Sequence, residues 1–371
     1  MKVAIFGASG FLGYDFVRLL VEKADVTPVL YCTSPQGLTN LSRHEFDLRF
    51  VPYSALHREK LDSDIECVVN FGHPFRTRDE LSPAEQVRAF AEFLRNQIAG
   101  NAKLKLIHLS SMSVLEPFAG GGDFSEEVPF DPPRNDEYAT TKALMERALE
   151  KLPHAESNQL ILRPTVVYGP FCRPWTDGPM SAFAVGDVIY SNLDGAIQPI
   201  YGRDISRFIY DRLKDFRSGL FNIAGKETMS WMQFLRYFEE IVDEGRLVAR
   251  AATVATTSLE AGAASRLGKV SAQLIVFANR SLGSRFLRRI ARYCPVELRQ
   301  YVHRKLSAGQ AGAGAMGGAF DRPFFSGNRL VSRVKLAESF PDFLFSTLDQ
   351  NRDELRSYYQ YRFTDQLIGS W

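Results

Sequence analysis

The sequence predicts an α/β protein built on a doubly wound, mostly parallel sheet, and three observations carry that prediction. From residue 2 to about 168, short β-branched runs alternate with longer amphipathic segments. The apolar runs lack period-two alternation, which suits strands covered on both faces. A glycine-rich turn, residues 7–13, separates the first strand from the first helix. Strands alternating with helices of this length build βαβ units and hence a parallel sheet.

Taken in order, strands are expected at 3–6, 26–32, 67–70, 104–109 and 159–162, with helices at 11–23, 84–97 and 135–151. The first strand starts at once after Met1-Lys2, so the amino terminus does not read as a targeting peptide. After Gly169-Pro170 the pattern loosens into a stretch rich in Gly, Pro and aromatics, then three further elements near 204–213, 220–224 and 230–242. This divides the chain into a dinucleotide-binding domain over 1–168 and a smaller substrate-binding part over 169–371. A distinct segment is inserted at about 246–320. Its flanks, 251–264 and 307–319, are rich in small residues and suit flexible connections. An aromatic helix is expected around 355–363.

Composition sets outer limits. With 371 residues, 45% apolar and 24% charged, the chain can bury a large core and is neither disordered nor fibrous. Lys and Arg number 45 against 43 acids, so a net charge of +2 gives no global case for nucleic-acid binding. Cys32, Cys67, Cys172 and Cys294 lie far apart, without a Cys-x-x-Cys spacing. That argues against a disulfide framework or a zinc site and for a reducing, cytoplasmic setting. No apolar run is long enough to span a bilayer.

The turn Gly7-Ala8-Ser9-Gly10-Phe11-Leu12-Gly13 stands where a dinucleotide site requires one. Gly7 allows the tight bend, Gly10 lets the backbone approach a pyrophosphate, and Gly13 lets the helix pack on the strand. Ser9, Phe11 and Leu12 complete the cradle, and the helix amino terminus offers free N–H groups to an anion. The second strand ends Tyr31-Cys32-Thr33-Ser34, without the carboxylate that would bind a ribose 2′-hydroxyl. Thr33 and Ser34 could donate to a 2′-phosphate, so the cofactor is NADP or NAD, with NADP favoured. A plain turn at this point is the competing reading.

Tyr138 and Lys142 stand four residues apart on an expected helix and so share a face. A neighbouring ammonium favours the phenolate and brings a phenol towards the neutral range. One βα unit earlier, the strand at 104–109 runs into Ser110-Ser111-Met112-Ser113, which puts hydroxyls at a carboxyl edge of the sheet. In open α/β sheets that edge is where ligands bind.

These motifs together resemble the extended short-chain dehydrogenase/reductase family, the NAD(P)-dependent sugar epimerases and dehydratases. The matching residues are Gly7, Gly10 and Gly13, the strand end HLSSMSV at 108–114, Tyr138-x-x-x-Lys142, and RPTVVYGP at 163–170. The resemblance covers roughly residues 1–245 and returns weakly over 325–363. It implies a Rossmann-type fold. Tyr138 would be the acid/base, Lys142 would hold the nicotinamide ribose and lower the tyrosine pKa, and Ser111 would supply the catalytic hydroxyl. Asn70, Phe71 and Gly72 would lie along the cofactor, with Pro164 and Val166 near the nicotinamide. Ser113, Arg173 and Arg203 are candidates for the substrate, the arginines for the diphosphate of a nucleotide sugar. A homodimer is common in the family.

Two departures narrow the reaction. The family's dehydratases carry Asp-Glu directly after the catalytic hydroxyl, where Met112 and Ser113 stand here. Its epimerase-reductases carry a cysteine just past that hydroxyl, and none is present. A ketoreductase or a 4-epimerase remains. A reductase of a non-sugar ketone and a non-catalytic NAD(P)-binding sensor or RNA-binding module are the alternatives. Outside the resemblance, the block 266–305 holds ten Lys/Arg against the single acid Glu297. It reads as a helix on the protein's own core, a peripheral membrane contact, or an anion or oligomer contact.

Overall fold

The computed structural model describes residues 1–33, 41, 45–74, 81–115, 123–129, 136–249 and 325–364. At its centre lie seven parallel strands: β1 (Lys2–Phe6), β2 (Thr27–Cys32), β3 (Asp47–Phe50), β4 (Ile65–Asn70), β5 (Lys105–Leu109), β6 (Gln159–Pro164) and β7 (Gly219–Ile223). Their order is β3-β2-β1-β4-β5-β6-β7. Helices α1 (Phe11–Lys23), α2 (Pro83–Gly100), α3 (Glu137–Leu149), α4 (Gly202–Lys214) and α5 (Trp231–Val242) follow the expected pattern. The Rossmann-type, doubly wound sheet that the alternation predicts is present.

Alternate strand residues feed two cores. Val3, Ile5, Leu30, Val69, Ile107 and Leu109 pack with Phe16, Val17 and Leu20 of α1 and Ile205, Phe208 and Ile209 of α4. Ala4, Phe6, Val29, Val68 and Leu106 pack with Val87, Phe90 and Leu94 of α2 and Met145 and Leu149 of α3. Burial on both faces is why the strands read as continuous apolar runs.

Local signals set the helix starts. Ser82 and Glu85 form a reciprocal capping box with Pro83 at the first helical position of α2. Asp136 caps α3 by accepting from the Ala139 N–H at 3.0 Å. α3 therefore starts at Glu137, which puts Tyr138 in its first turn.

Two features were not legible in advance. β3 is a short edge strand with partly exposed residues, so it lacks the apolar run that marks the others. β7 was expected as a strand near 220–224, but its place beside β6 in the main sheet depends on a tertiary pairing, Gly219 to Leu160 through Ile223 to Pro164.

By contact the chain forms two units. The first comprises Met1–Pro179, Leu193–Tyr237 and Pro323–Leu355, and holds the whole sheet. The second comprises Met180–Asn192, Phe238–Arg322 and Arg356–Trp371. Within it Val188–Tyr190 pairs in parallel with Leu247–Ala249, and the Tyr359 hydroxyl donates to Glu244 at 3.0 Å. The basic block 266–305 and both small-residue flanks lie outside the described residues.

Candidate active site

The winding reverses between β1 and β4, and their carboxyl ends meet there: the Phe71 N–H donates to the Phe6 carbonyl at 2.9 Å. A ligand crevice is expected at such a switch point. Gly7 has φ +78°, and a Cβ on it would stand 2.6 Å from the Gly72 nitrogen. A Cβ on Gly13 would stand 2.2 Å from the Gly7 oxygen. Both glycines are thus required by packing. Gly10 differs, because a Cβ there would meet only the Gly7 oxygen at 3.3 Å. Its bareness suits a backbone that a ligand approaches. α1 carries no acid in its first turn, so its positive end is uncompensated there.

Around the turn, the Phe11 and Leu12 side chains point inward against Gly202, at 2.8 and 3.2 Å from where its Cβ would be. Ser9 faces the end of β2: burial pushes the Cys32 thiol up, and hydrogen bonds from the Ser9 amide and hydroxyl oppose that. Thr33 beyond it is exposed, and Ser34 lies outside the described residues. The turn, the open helix end and the space at Gly10 fit a dinucleotide pyrophosphate.

At the end of β4, Asn70 is buried and turns inward. Its Oδ1 accepts from the Gly72 N–H at 2.8 Å, and its Nδ2 lies 3.1 Å from His108 Nδ1. Phe71 packs on Phe16 of α1 at 5.5 Å between ring centroids. Pro164 closes β6. Next to it the Thr165 hydroxyl donates to the Gln198 carbonyl, and the Val166 carbonyl accepts from Ile200 N–H at 2.9 Å.

The three serines after β5 have separate partners. Ser110 is buried and donates to Glu146. Ser111 caps a short 3₁₀ turn, Met112–Val114, and its Oγ accepts from the Ser113 hydroxyl at 2.9 Å. The Ser111 side chain also lies close enough to the Tyr138 phenol to draw its pKa down. The structure therefore brings together Ser111, Tyr138 and Lys142, with Ser113 behind Ser111.

Tyr138 exposes 42% of its surface, yet its hydroxyl end is enclosed. That burial pushes its pKa up, and the nearby Ser111 side chain only partly offsets it. The lowering by Lys142 that the resemblance implies is not what dominates here. The ammonium lies 5.9 Å from the Tyr138 ring centroid and donates to the Leu109 carbonyl at 2.7 Å. Lys142 is itself buried, which pulls its pKa down to about 8, with Glu146 opposing the shift.

Three neighbours went unread in the sequence. One turn beyond Lys142, Glu146 pairs with Arg163 of β6 at 2.7 Å, both side chains almost wholly buried. His73 lies against Tyr138, ring centroids 4.7 Å apart, and burial drives its pKa down to about 3. His108 is fully buried. The spacing Tyr138-Lys142-Glu146 was available as a signal for Glu146. Nothing local marks either histidine.

The two arginines part company. Arg173 is exposed at the start of the turn Arg173–Asp177. Arg203 turns to α1, with its guanidinium 3.5 Å from the Asp15 carboxylate and paired with Glu22. It braces α1 against α4, and the Ser206 hydroxyl supports it by donating to Asp15 at 2.6 Å. Among the described residues no group of His, Cys, Asp and Glu could hold a metal ion. No helix among them is long and apolar enough to cross a membrane.

Residues 3–197 match the family described as the NAD dependent epimerase/dehydratase family. The chain belongs to that family. Like its members it is an NAD(P)-dependent enzyme of the short-chain dehydrogenase/reductase type. Solved structures share the fold at low identity. The Bordetella bronchiseptica enzyme WbmH, in complex with NAD+, is 13% identical with a TM-score of 0.63, over 97% of this chain and 98% of its own. The dTDP-glucose 4,6-dehydratase of Bacillus anthracis, in complex with NAD, is 18% identical with a TM-score of 0.56, over 68% and 85%. The UDP-N-acetylglucosamine 4-epimerase of Bacillus cereus is 16% identical with a TM-score of 0.54, over 68% and 86%. No curated protein sequence matches the chain.

Proposed function

We propose that this member of the epimerase/dehydratase family is an NAD(P)-dependent oxidoreductase of a nucleotide-linked sugar, a ketoreductase or a 4-epimerase. One observation carries the reading: a serine hydroxyl beside a phenol, with a buried lysine one turn along the phenol's helix, at the carboxyl edge of the sheet. When bound, NAD(P) supplies the two-electron chemistry at its nicotinamide. Ser111 and Tyr138 hold the substrate oxygen between them. A phenol whose pKa is raised keeps its proton at neutral pH, which suits it to protonate that oxygen as a carbonyl is reduced. Lys142, held by the Leu109 carbonyl, positions the ribose. Met112, buried among Val114, Leu115 and Ala143, and Ser113 give no acid and base for eliminating water. The solved relatives include a dTDP-glucose 4,6-dehydratase and a UDP-N-acetylglucosamine 4-epimerase, and Arg173 is our candidate for a diphosphate of that kind. The end of β2, Cys32 and Thr33 without a carboxylate, favours NADP. A homodimer and a peripheral membrane contact through 266–305 remain proposals of the sequence.

The test is a thermal-shift screen of NAD(H), NADP(H), and UDP- and dTDP-sugars. A cofactor at a hundred times its Kd stabilises the native state by about 2.7 kcal/mol. Stabilisation by a nicotinamide dinucleotide, with turnover of a nucleotide sugar read at the nicotinamide absorbance, supports the reading. Binding of neither class of ligand refutes it. A tightly bound nicotinamide in the purified protein selects the epimerase, and an empty site the reductase.

A further inference from the structure

Three donors meet on the carboxylate of Glu146. Arg163 donates from Nε to both oxygens at 3.1 Å, and from a terminal nitrogen to Oε2 at 2.7 Å. The Ser110 hydroxyl donates to Oε1. Both oxygens therefore accept, as those of an ionised carboxylate do. Glu146, Arg163 and Ser110 are all buried, so salt in the solvent screens these charges little.

Lys142 is held by the same helix and the same strand end. It stands four residues before Glu146 on α3, so the two side chains share a face. The ammonium donates to the Leu109 carbonyl at 2.7 Å, and the carboxylate receives the hydroxyl of the next residue, Ser110. Ser110 is itself tied to β6: its N–H donates to the Leu162 carbonyl at 2.7 Å, one residue before Arg163. Amine, carboxylate and guanidinium thus gather where α3 meets the ends of β5 and β6. Two buried cations draw on one anion. A guanidinium does not give up its proton, so any shortage of negative charge falls on the amine.

We propose that Glu146 is a positioning residue acting through Lys142: its carboxylate, clamped by Arg163 and Ser110, holds the amine in its charged form on the Leu109 carbonyl. Burial by itself favours loss of the amine's proton, and Glu146 is the group that opposes it. The other groups within reach of the amine carry no charge near neutral pH. Tyr138 stands one turn back on α3, its ring centroid 5.9 Å from the ammonium, and keeps its proton. His73 after β4 and His108 of β5 are kept neutral by burial. Beyond Arg163 and Ser110, the carboxylate faces Glu150 one turn on, whose carboxyl is pushed up by burial and then by Glu146. The consequence for turnover rests on the reading of Lys142 given above, but the charge coupling itself does not.

Stability of the full chain against pH tests this without any turnover. The folded chain holds the Lys142 proton up to about 8 and the unfolded chain to the ordinary 10.5, so wild type gains on Lys142→Met as pH rises from about 8. Glu146→Gln keeps the shape and removes the charge. Denaturant titrations over a pH series, comparing Glu146→Gln with its double variant carrying Lys142→Met, should place that onset about one unit lower. An onset that stays where it is in wild type, or rises, overturns the proposal. Ser110→Ala removes one bond of the clamp but leaves the charge, so its onset should stay at the wild-type value. A shift there as large as in Glu146→Gln would mean that packing sets the amine's ionisation, which refutes the coupling. Should Glu146→Gln not fold, Glu146→Asp draws the carboxylate back by one methylene and must lower the onset by a smaller step. No movement in that variant refutes the coupling as well. In turnover, the alkaline limb of Glu146→Gln should fall with the onset, and a limb that stays put refutes an action of Glu146 on the reaction. A lowered onset in a chain that turns over no nucleotide sugar supports the coupling and fails the functional reading alone.

Discussion

At Tyr138 the structure joins two properties that pull against each other: a ring open to solvent and a hydroxyl enclosed enough to keep its proton. Tyr138→Phe removes that proton and little else. We expect turnover to fall by about 10²–10⁴-fold while cofactor binding, measured by calorimetry, changes little. A comparable loss of binding would mean that the phenol supports the pocket and not the reaction. The pH profile follows from the neighbours. His73 stays neutral down to about pH 3, so it gives no limb near pH 6. Lys142 loses its proton through about pH 8, so activity should decline above that point. The same shift acts on stability. Burial penalises the charged amine in the folded state, so the unfolded chain binds more protons between about 8 and the ordinary 10.5. Stability therefore gains from this group as pH rises through that window. Melting curves of wild type against Lys142→Met should diverge there, and parallel curves would exclude a depressed lysine.

α3 does most of the positioning among the elements. Its cap at Asp136 sets the phase, and successive turns present Tyr138, Lys142 and Glu146. Glu146→Ala takes its buried carboxylate partner from Arg163, and we expect a loss of about 3–5 kcal/mol in denaturant titrations. A loss under about 1 kcal/mol would show that water reaches the pair. The glycine turn separates packing from ligand approach. Gly13→Ala forces a Cβ against the Gly7 oxygen and should cost about 1–3 kcal/mol of stability. Gly10→Ala meets only the Gly7 oxygen, at 3.3 Å, so it should lower the melting temperature far less than Gly13→Ala while dinucleotide affinity drops about tenfold or more. Equal affinity in Gly10→Ala would remove the pyrophosphate from this turn.

Across the whole molecule, legibility tracked how local each signal was. The run of strands and helices was readable because both faces of the sheet are covered and α2 is capped by its own sequence, Ser82 to Glu85. The glycine turn was readable because its three glycines stand together between a strand and the next helix, although the packing that requires Gly7 comes from Gly72, far along the chain. β3 escaped because an edge strand need not be apolar, and the β7 pairing because its partner lies some sixty residues earlier. Within the site, Ser111 was separable from Ser110 only by motif. In the structure the distinction is physical, since Ser110 is held by Glu146 and Ser111 meets the phenol. His73 and His108 became visible only as neighbours in space. Arg203 shows the opposite failure: a cation chosen for an anionic ligand serves α1 carboxylates of the chain itself. The most direct measurement of the central claim is a crystal structure with NADP(H) or NAD(H) and a UDP-sugar. The account predicts the pyrophosphate over Gly10, with the nicotinamide reacting carbon and the Tyr138 hydroxyl each about 3–3.5 Å from the substrate's reacting atoms. A dinucleotide bound away from the glycine turn, or a sugar out of reach of both Ser111 and Tyr138, would contradict it.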